Sequence, residues 1–180
     1  MKAFLLLVFF GLFSSNEGSS LYEISFESIN GNTVNMSSFK GQRLVIVVFD
    51  SKRPDTTYLA FIDSLAKNDS ASTAVIAVPA TDLSNDSTDV PIQPDSALAL
   101  LSARGMFISQ AIPVKKSAGE LQHPLFKWLT HVEQNIHFDR DVEQDGQLFM
   151  INEQGVLYGV HDKQLPAEAI KKVMTENIEQ

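Results

Sequence analysis

The sequence predicts an α/β fold, a central mixed sheet flanked by helices and preceded by an N-terminal β-hairpin. Three observations carry that expectation. Residues 44–49, LVIVVF, are an unbroken, largely β-branched run, the pattern of a central strand covered on both faces. Apolar residues at helical spacing follow in Leu59, Ile62, Leu65 and Ala66. A second buried strand, residues 74–78, comes one helix length later, completing a strand–helix–strand unit.

The elements follow in chain order. Residues 21–28, LYEISFES, alternate apolar and polar, and Asn30-Gly31 predicts a two-residue hairpin turn returning through residues 33–36. Pro54 suits the first turn of the helix that runs to about Lys67. Residues 80–95 read as an acidic loop closed by Pro91 and Pro94, after which Asp95 or Ser96 caps a helix ending at Gly105. Residues 106–122 look irregular, with Pro113 and Gly119 as breaks. Residues 123–132 predict a short helix carrying Leu125, Phe126, Trp128 and Leu129. Residues 148–151 and 156–160 form a hairpin around Asn152 and Gly155, and Pro166 opens a last helix with Ala169, Ile170 and Val173 inward. Phe126, Trp128 and Phe149 are expected in the core.

Composition narrows the function classes. A chain of 180 residues with 44% hydrophobic and 20% charged residues suits one folded domain rather than a disordered segment. Fourteen basic against 22 acidic residues give a net charge of -8, so no basic surface is available to displace counterions from nucleic-acid phosphates. The cysteine count is zero, which excludes disulfides, thiolate metal sites and a thiol nucleophile.

The chain opens with Lys2 and an apolar run over residues 3–13. That run is shorter than the roughly 20 residues a bilayer span needs, and it matches the core of a signal peptide. Residues 1–18 are therefore expected to be a signal peptide and residues 19–180 one domain. This implies export, periplasmic or secreted, with no stable membrane insertion once the leader is removed.

Gly119-Glu120 followed by His123-Pro124-Leu125-Phe126-Lys127-Trp128-Leu129 resembles the Asn-Gly-Glu…His-Pro-Leu-Tyr-Lys-Trp-Leu segment of the glutathione peroxidases. Phe39-Lys40-Gly41, Ser51-Lys52, Val78-Pro79, the hairpin from Phe149 to Val160 and Leu165-Pro166 fall in the same register. The resemblance covers nearly all of residues 21–175. It implies a thioredoxin-like sandwich of glutathione-peroxidase type and, by family, hydroperoxide reduction in an oxidative-stress response. The same register places Arg53 where the family has its cysteine or selenocysteine, Asp82 where it has glutamine, and Gln144 and Asp145 where it has its Trp-Asn pair. All four positions of the catalytic tetrad are thus changed. Arginine stays protonated and offers no lone pair for attack on a peroxide oxygen. Arg53 either forms an ion network with Asp82 and Asp145 or points into solvent.

Other constellations are weaker. Asp141, Glu143, Asp145 and Gly146 resemble the opening of a calcium loop, but Asn152 stands where the bidentate glutamate belongs, so a solvated acidic turn is expected. Asp82, Asn85, Asp86 and Asp89 read as a soluble acidic surface. His131 and His137 lack a zinc-site partner pair, and His123 reads as a residue of a helix start. Ser51 with Asp50 and a histidine lacks the nucleophile elbow of a hydrolase triad. Asn35, Asn68 and Asn85 each begin a glycosylation sequon. No metal and no cofactor are expected. The reading is an exported domain without thiol peroxidase chemistry that binds or scaffolds an unknown protein or small molecule. The alternatives are an enzyme or anion-binding protein that reuses the cleft around Arg53, and a family-style peroxidase.

Overall fold

A computed structural model describes residues 20–67, 73–83, 96–163 and 166–175. The expected leader, the acidic-loop residues Asn85, Asp86, Asp89, Pro91, Pro94 and Asp95, Leu165 and the sequon at Asn68 lie outside them.

The first hairpin pairs β1 (Ser25–Glu27) with β2 (Thr33–Asn35), with Phe26 opposite Val34. Its turn is longer than expected. A two-residue turn of the expected kind needs positive φ at both central residues, and here only Gly31 has it, at 78°. Ser28 instead closes the turn twice, accepting from the Gly31 N–H and donating to the Asn32 carbonyl, both at 2.8 Å. The flanking residues tighten into 3₁₀ turns, Leu21–Glu23 and Met36–Phe39, so Met36 and Phe39 turn into the core instead of extending the strand.

The main sheet follows from β3 (Arg43–Asp50), α1 (Thr56–Lys67), β4 (Thr73–Ala80), α2 (Ser96–Ala103), β5 (Phe107–Ile108), α3 (Pro124–Thr130), α4 (Val132–Asn135), β6 (Leu148–Ile151), β7 (Leu157–His161) and α5 (Ala167–Thr175). Its strand order is β5-β4-β3-β6-β7. β3, β4 and β5 are parallel, and β6 and β7 return antiparallel. β3 is central and buried at every residue, as its continuous apolar run predicts.

Alternate residues of β3 feed two cores. Leu44, Ile46 and Val48 join Ile76, Val78, Phe149 and Ile151 under Phe26, Met36 and the α3 residues Leu125, Phe126, Trp128 and Leu129. Val45, Val47 and Phe49 join Ala77, Leu148 and Met150 under Leu59 and Ile62 of α1, Leu98 and Leu101 of α2, and Ile170 of α5. Each fully buried aliphatic or aromatic side chain contributes about 1.5–3 kcal/mol of transfer free energy. Phe126 and Phe149 meet edge to face at 6.0 Å, and they lie in the core as expected. At the entry of β3 the Arg43 Nε donates to Glu153 at 2.7 Å.

The local signals have identifiable partners. Asp55 starts α1, its carboxylate accepting from the Tyr58 N–H at 3.0 Å, so Pro54 precedes the helix rather than sitting inside it. Gly105, at φ 100°, stops α2 while the Met106 N–H reaches back to the Leu101 carbonyl. His123 caps α3 through Nδ1, which accepts from the Leu125 N–H at 3.2 Å, and Pro124 occupies the first turn. The expected single helix over residues 123–132 is two: His131 adopts extended φ and ψ between α3 and α4. The segment read as irregular contains β5, which pairs Phe107 with Ile76 and Ile108 with Ala77. Pro166 precedes α5, and its carbonyl accepts from the Ile170 N–H. The Val173 side chain lies outside the described set. No described helix is long and apolar enough to cross a membrane.

Candidate functional site

The carboxyl end of β3 in an α/β sheet is where chain direction and helix N-termini leave polar groups to be used. Here β3 ends at Asp50, a turn covers Ser51, Lys52 and Arg53, and α1 begins at Thr56. The turn is closely tied. The Ser51 N–H donates to the Ala80 carbonyl at 3.2 Å, the Lys52 N–H to the Asp50 carboxylate at 2.9 Å, and the Arg53 N–H to the Asp50 carbonyl at 3.2 Å.

β6 is extended toward this turn by two further bonds with Val48: Gly146 donates to its carbonyl at 2.7 Å, and Gln147 accepts from its N–H at 2.9 Å. The Gln147 side chain is fully buried; its amide accepts from the Glu143 N–H and donates to the Asp141 carbonyl, fixing residues 141–147. Asp145 is thereby delivered to the strand end, where its Oδ1 accepts from the Asp50 N–H at 2.9 Å. Its other oxygen accepts from Lys163 Nζ at 3.1 Å, and Lys163 also donates to Asp55 at 2.7 Å. Lys163 lies 5.1 Å from the Tyr58 ring centroid, and the Tyr58 hydroxyl faces the Gly146 carbonyl at 3.4 Å. Gly146 makes this passage possible. A Cβ there would lie 2.5–2.8 Å from the Lys163 stem, and its φ of 80° suits glycine.

Electrostatics follow this geometry. The Lys163 hydrogen bond, aided by the Tyr58 N–H, holds the Asp55 carboxyl below its ordinary range. Burial opposes the Lys163 charge, but the bonds to Asp55 and Asp145 outweigh it and raise the ammonium pKa. Burial pushes the Tyr58 phenol up to about 12; the Lys163 charge opposes this, and the Asp145 and Asp55 charges add to it.

The four positions singled out in the sequence are not joined to one another by their side chains. Arg53 is exposed, and among the described residues its guanidinium has no ion pair. Asp82 takes the Val114 N–H at 3.0 Å and the Lys115 N–H at 2.8 Å, so it pins the chain after β5. Asp145 does reach the β3 turn, but its cation is Lys163. Gln144 is half-buried beside it in the chain. The Arg53–Asp82–Asp145 ion network is therefore not formed; two backbone N–H groups and a different cation have taken the carboxylates. The sequence reading missed Lys163, which is brought to Asp55 only by the path of the chain beyond β7.

The remaining constellations are tied into the backbone. Asp141 accepts from the Lys116 and Val142 N–H groups at 2.9 and 2.8 Å, and the acidic turn leads into β6, not into a helix. His131 faces Gln122 at 3.1 Å. Burial lowers the His123 pKa, which keeps its capping nitrogen an acceptor. Among the described residues no three His, Asp or Glu side chains gather as a metal site would require.

No family model matches the sequence, and no curated protein matches it. Solved structures do match its fold. Trgpx in apo form superposes with a TM-score of 0.62 at 19% identity, over 87% of this chain and 93% of that one. GPX1 of T. cruzi gives 0.59 at 17% identity, over 86% and 94%. The exposed lipoprotein thioredoxin Etrx1 of Streptococcus pneumoniae gives 0.52 at 14%, over 84% and 96%. With its mixed five-stranded sheet, flanking helices and N-terminal hairpin, the chain has a thioredoxin-like fold of glutathione-peroxidase type, in a sequence without cysteine.

Proposed function

We propose that this chain is an exported, glutathione-peroxidase-like domain that has lost thiol peroxidase chemistry and acts by binding or scaffolding. The absence of cysteine from all 180 residues carries the reading. Peroxide reduction on this fold needs a thiolate or its selenium analogue to accept an oxygen atom, and no other side chain present turns that reaction over. Methionine can be oxidised once, but its return needs a dedicated reductase. The strand-end cluster supports the same conclusion: Asp55, Asp145 and Lys163 satisfy one another where a peroxidase would keep donors open for its anion. Fold retention by itself argues no activity.

The exposed Arg53 favours a second reading, an anion-binding protein or enzyme that reuses this turn. The first reading is tested by following peroxide loss with glutathione or thioredoxin as reductant. The comparison is wild type, Arg53→Cys, and Arg53→Cys with Asp82→Gln, Gln144→Trp and Asp145→Asn. Wild type is expected at the heat-killed background because it has no thiol, and Arg53→Cys little above it because carboxylates near the turn disfavour a thiolate. Thiol-dependent turnover by metal-free wild type overturns the proposal. Binding of phosphate or sulfate that is lost in Arg53→Ala would move the assignment to the second reading.

A further inference from the structure

A groove of about 290 Å³ opens away from the strand-end cluster, between the 3₁₀ segment Lys116–Leu121 and helices α3 and α4. Its walls carry Lys116, Lys127, Glu120, Glu133, Gln134 and His131. From its geometry we infer that this groove is a binding site for a small zwitterion of the α-amino-acid class, carrying one ammonium and one carboxylate.

The argument starts with a buried amide. Gln122 is 2% exposed, and its Nε2 donates to the Val114 carbonyl at 2.9 Å and to Thr130 Oγ1 at 3.1 Å. Thr130 spends its own proton on the Phe126 carbonyl at 2.6 Å, so toward Gln122 it can only accept. The amide orientation is thereby fixed, since a flipped Gln122 would set its oxygen against the Val114 carbonyl. Its Oε1 must accept from His131 Nε2, 3.1 Å away. In neutral His131 the proton therefore sits on Nε2, and Nδ1 carries a lone pair. A groove wall thus contains a held imidazole with one acceptor nitrogen, matched to an N–H donor.

The charges around it are of both signs. Two ammonium groups, Lys116 and Lys127, and two carboxylates, Glu120 and Glu133, line the same space, and Asp139 adds a third carboxylate beside Lys116. Inorganic anions gain nothing net from such a lining, whereas a ligand bearing both signs satisfies both sets. Lys127 is the cation free to change partners. Its ion pair is with Glu120 at 3.2 Å, and the Glu120 side chain is fully exposed, a pairing of little net worth. Lys116 is already paired with Asp139, whose carboxyl it holds below its ordinary range. The ligand carboxylate is accordingly assigned to Lys127, and its ammonium to Glu133 and His131 Nδ1. Gly119, on the same wall, has φ 56° and ψ -123°, a conformation glycine adopts without strain. A Cβ there would meet nothing within 4 Å, so the wall is open at that point. The volume suits a ligand of amino-acid size at the small end of known ligand pockets.

The proposal deepens the binding-domain reading, and it stands or falls separately from the peroxide assay. The test is an amide ¹H–¹⁵N titration of the purified chain with each of the twenty proteinogenic L-amino acids. The best binder is then compared with its N-acetyl and carboxamide derivatives and with sodium sulfate. Saturable shifts centred on residues 116–134 are expected, with each blocked derivative at least tenfold weaker and sulfate without a saturable effect. Lys127→Ala and Glu133→Gln, checked for an unchanged fold by their remaining spectra, should each weaken binding about tenfold. No saturable shift from any amino acid, equal binding of the blocked forms, shifts centred elsewhere, or unchanged affinity in both variants would each overturn the assignment.

Discussion

Asn135 is the side chain whose removal the structure prices most clearly. It is 4% exposed at the end of α4. Its Oδ1 accepts from the His137 and Phe138 N–H groups at 2.8 and 2.7 Å. Its Nδ2 lies 2.9–3.3 Å from the carbonyls of Trp128, Leu129, His131 and Phe138. Asn135→Ala strips the acceptor from two backbone donors and the donor from a ring of carbonyls. At about 1–1.5 kcal/mol for each N–H left without a protein partner, with a smaller loss at the carbonyls, the cost is about 3 kcal/mol. In a domain of this size that lowers Tm by roughly 6–12 °C. Asn135→Asp separates the two halves of the argument. It keeps the acceptor but sets a carboxylate oxygen among four carbonyl oxygens, so at pH 7 it should be at least as damaging as alanine. Burial and the carbonyls raise the folded-state pKa of that new carboxyl above its unfolded value. The protonated form, which regains a donor, is thus favoured by folding, and its contribution is present at low pH and lost as pH rises through the folded pKa. Urea melts of both variants between pH 4 and 7 read this directly. The reasoning is refuted if Asn135→Asp matches wild type at pH 7, or if its stability relative to Asn135→Ala is independent of pH.

Ile136 has φ 70° and is 64% exposed, so Ile136→Gly should relieve left-handed strain at little burial cost and stabilise by about 0.5–1 kcal/mol, seen as a higher Tm. Gly155→Ala should cost about 2–3 kcal/mol in urea melts. Its φ is 80° and a Cβ would lie 2.7–2.9 Å from the Tyr22 ring and hydroxyl; adding Tyr22→Ala should remove the contact penalty but not the conformational one. Lys163→Gln should destabilise by no more than about 1 kcal/mol, because Lys163, Asp55 and Asp145 remain partly exposed. Asp55 is depressed in the fold, so that difference is present above the ordinary carboxylate range and closes as pH falls through the folded Asp55 pKa; it closes again as pH rises through the raised Lys163 pKa.

The parts of this fold that were legible are those whose reasons are local. Residues 44–49 announce a doubly covered strand by being apolar throughout, and His123-Pro124 announces a helix start through a cap and a fixed φ. β5 was illegible because two residues, Phe107 and Ile108, show no periodicity; parallel pairing with Ile76 and Ala77 makes them a strand. The Asn30-Gly31 signal gave the right hairpin with the wrong turn, since the choice depended on the φ of Asn30. At the site, the sequence left open whether Arg53 pairs with Asp82 and Asp145 or points into solvent, and it did not offer Lys163, the cation that Asp145 takes. Charge alone cannot tell Arg53 from Lys163. The decision rests on how the chain returns after β7, and on Gly146 leaving room for the lysine stem.

The central strand also poses a problem of alignment. A strand with one polar face reports any slip by exposing its apolar side chains, but β3 is apolar on both faces between residues 44 and 49, so sliding by one position would cost its interior little. Its two ends carry the alignment instead. Arg43, 6% exposed, is anchored to Glu153; Asp50, 8% exposed, accepts the Lys52 N–H on its carboxylate while its own backbone N–H donates to Asp145. A slip in either direction carries the Arg43 guanidinium away from Glu153 and the Asp50 carboxylate away from the Lys52 N–H, leaving two nearly buried charged groups without these bonds, at about 1–3 kcal/mol each. The interior of β3 is accordingly free to exchange one branched aliphatic residue for another, while the identity of the strand as this strand, in this position, is written in the two charged residues that bracket it.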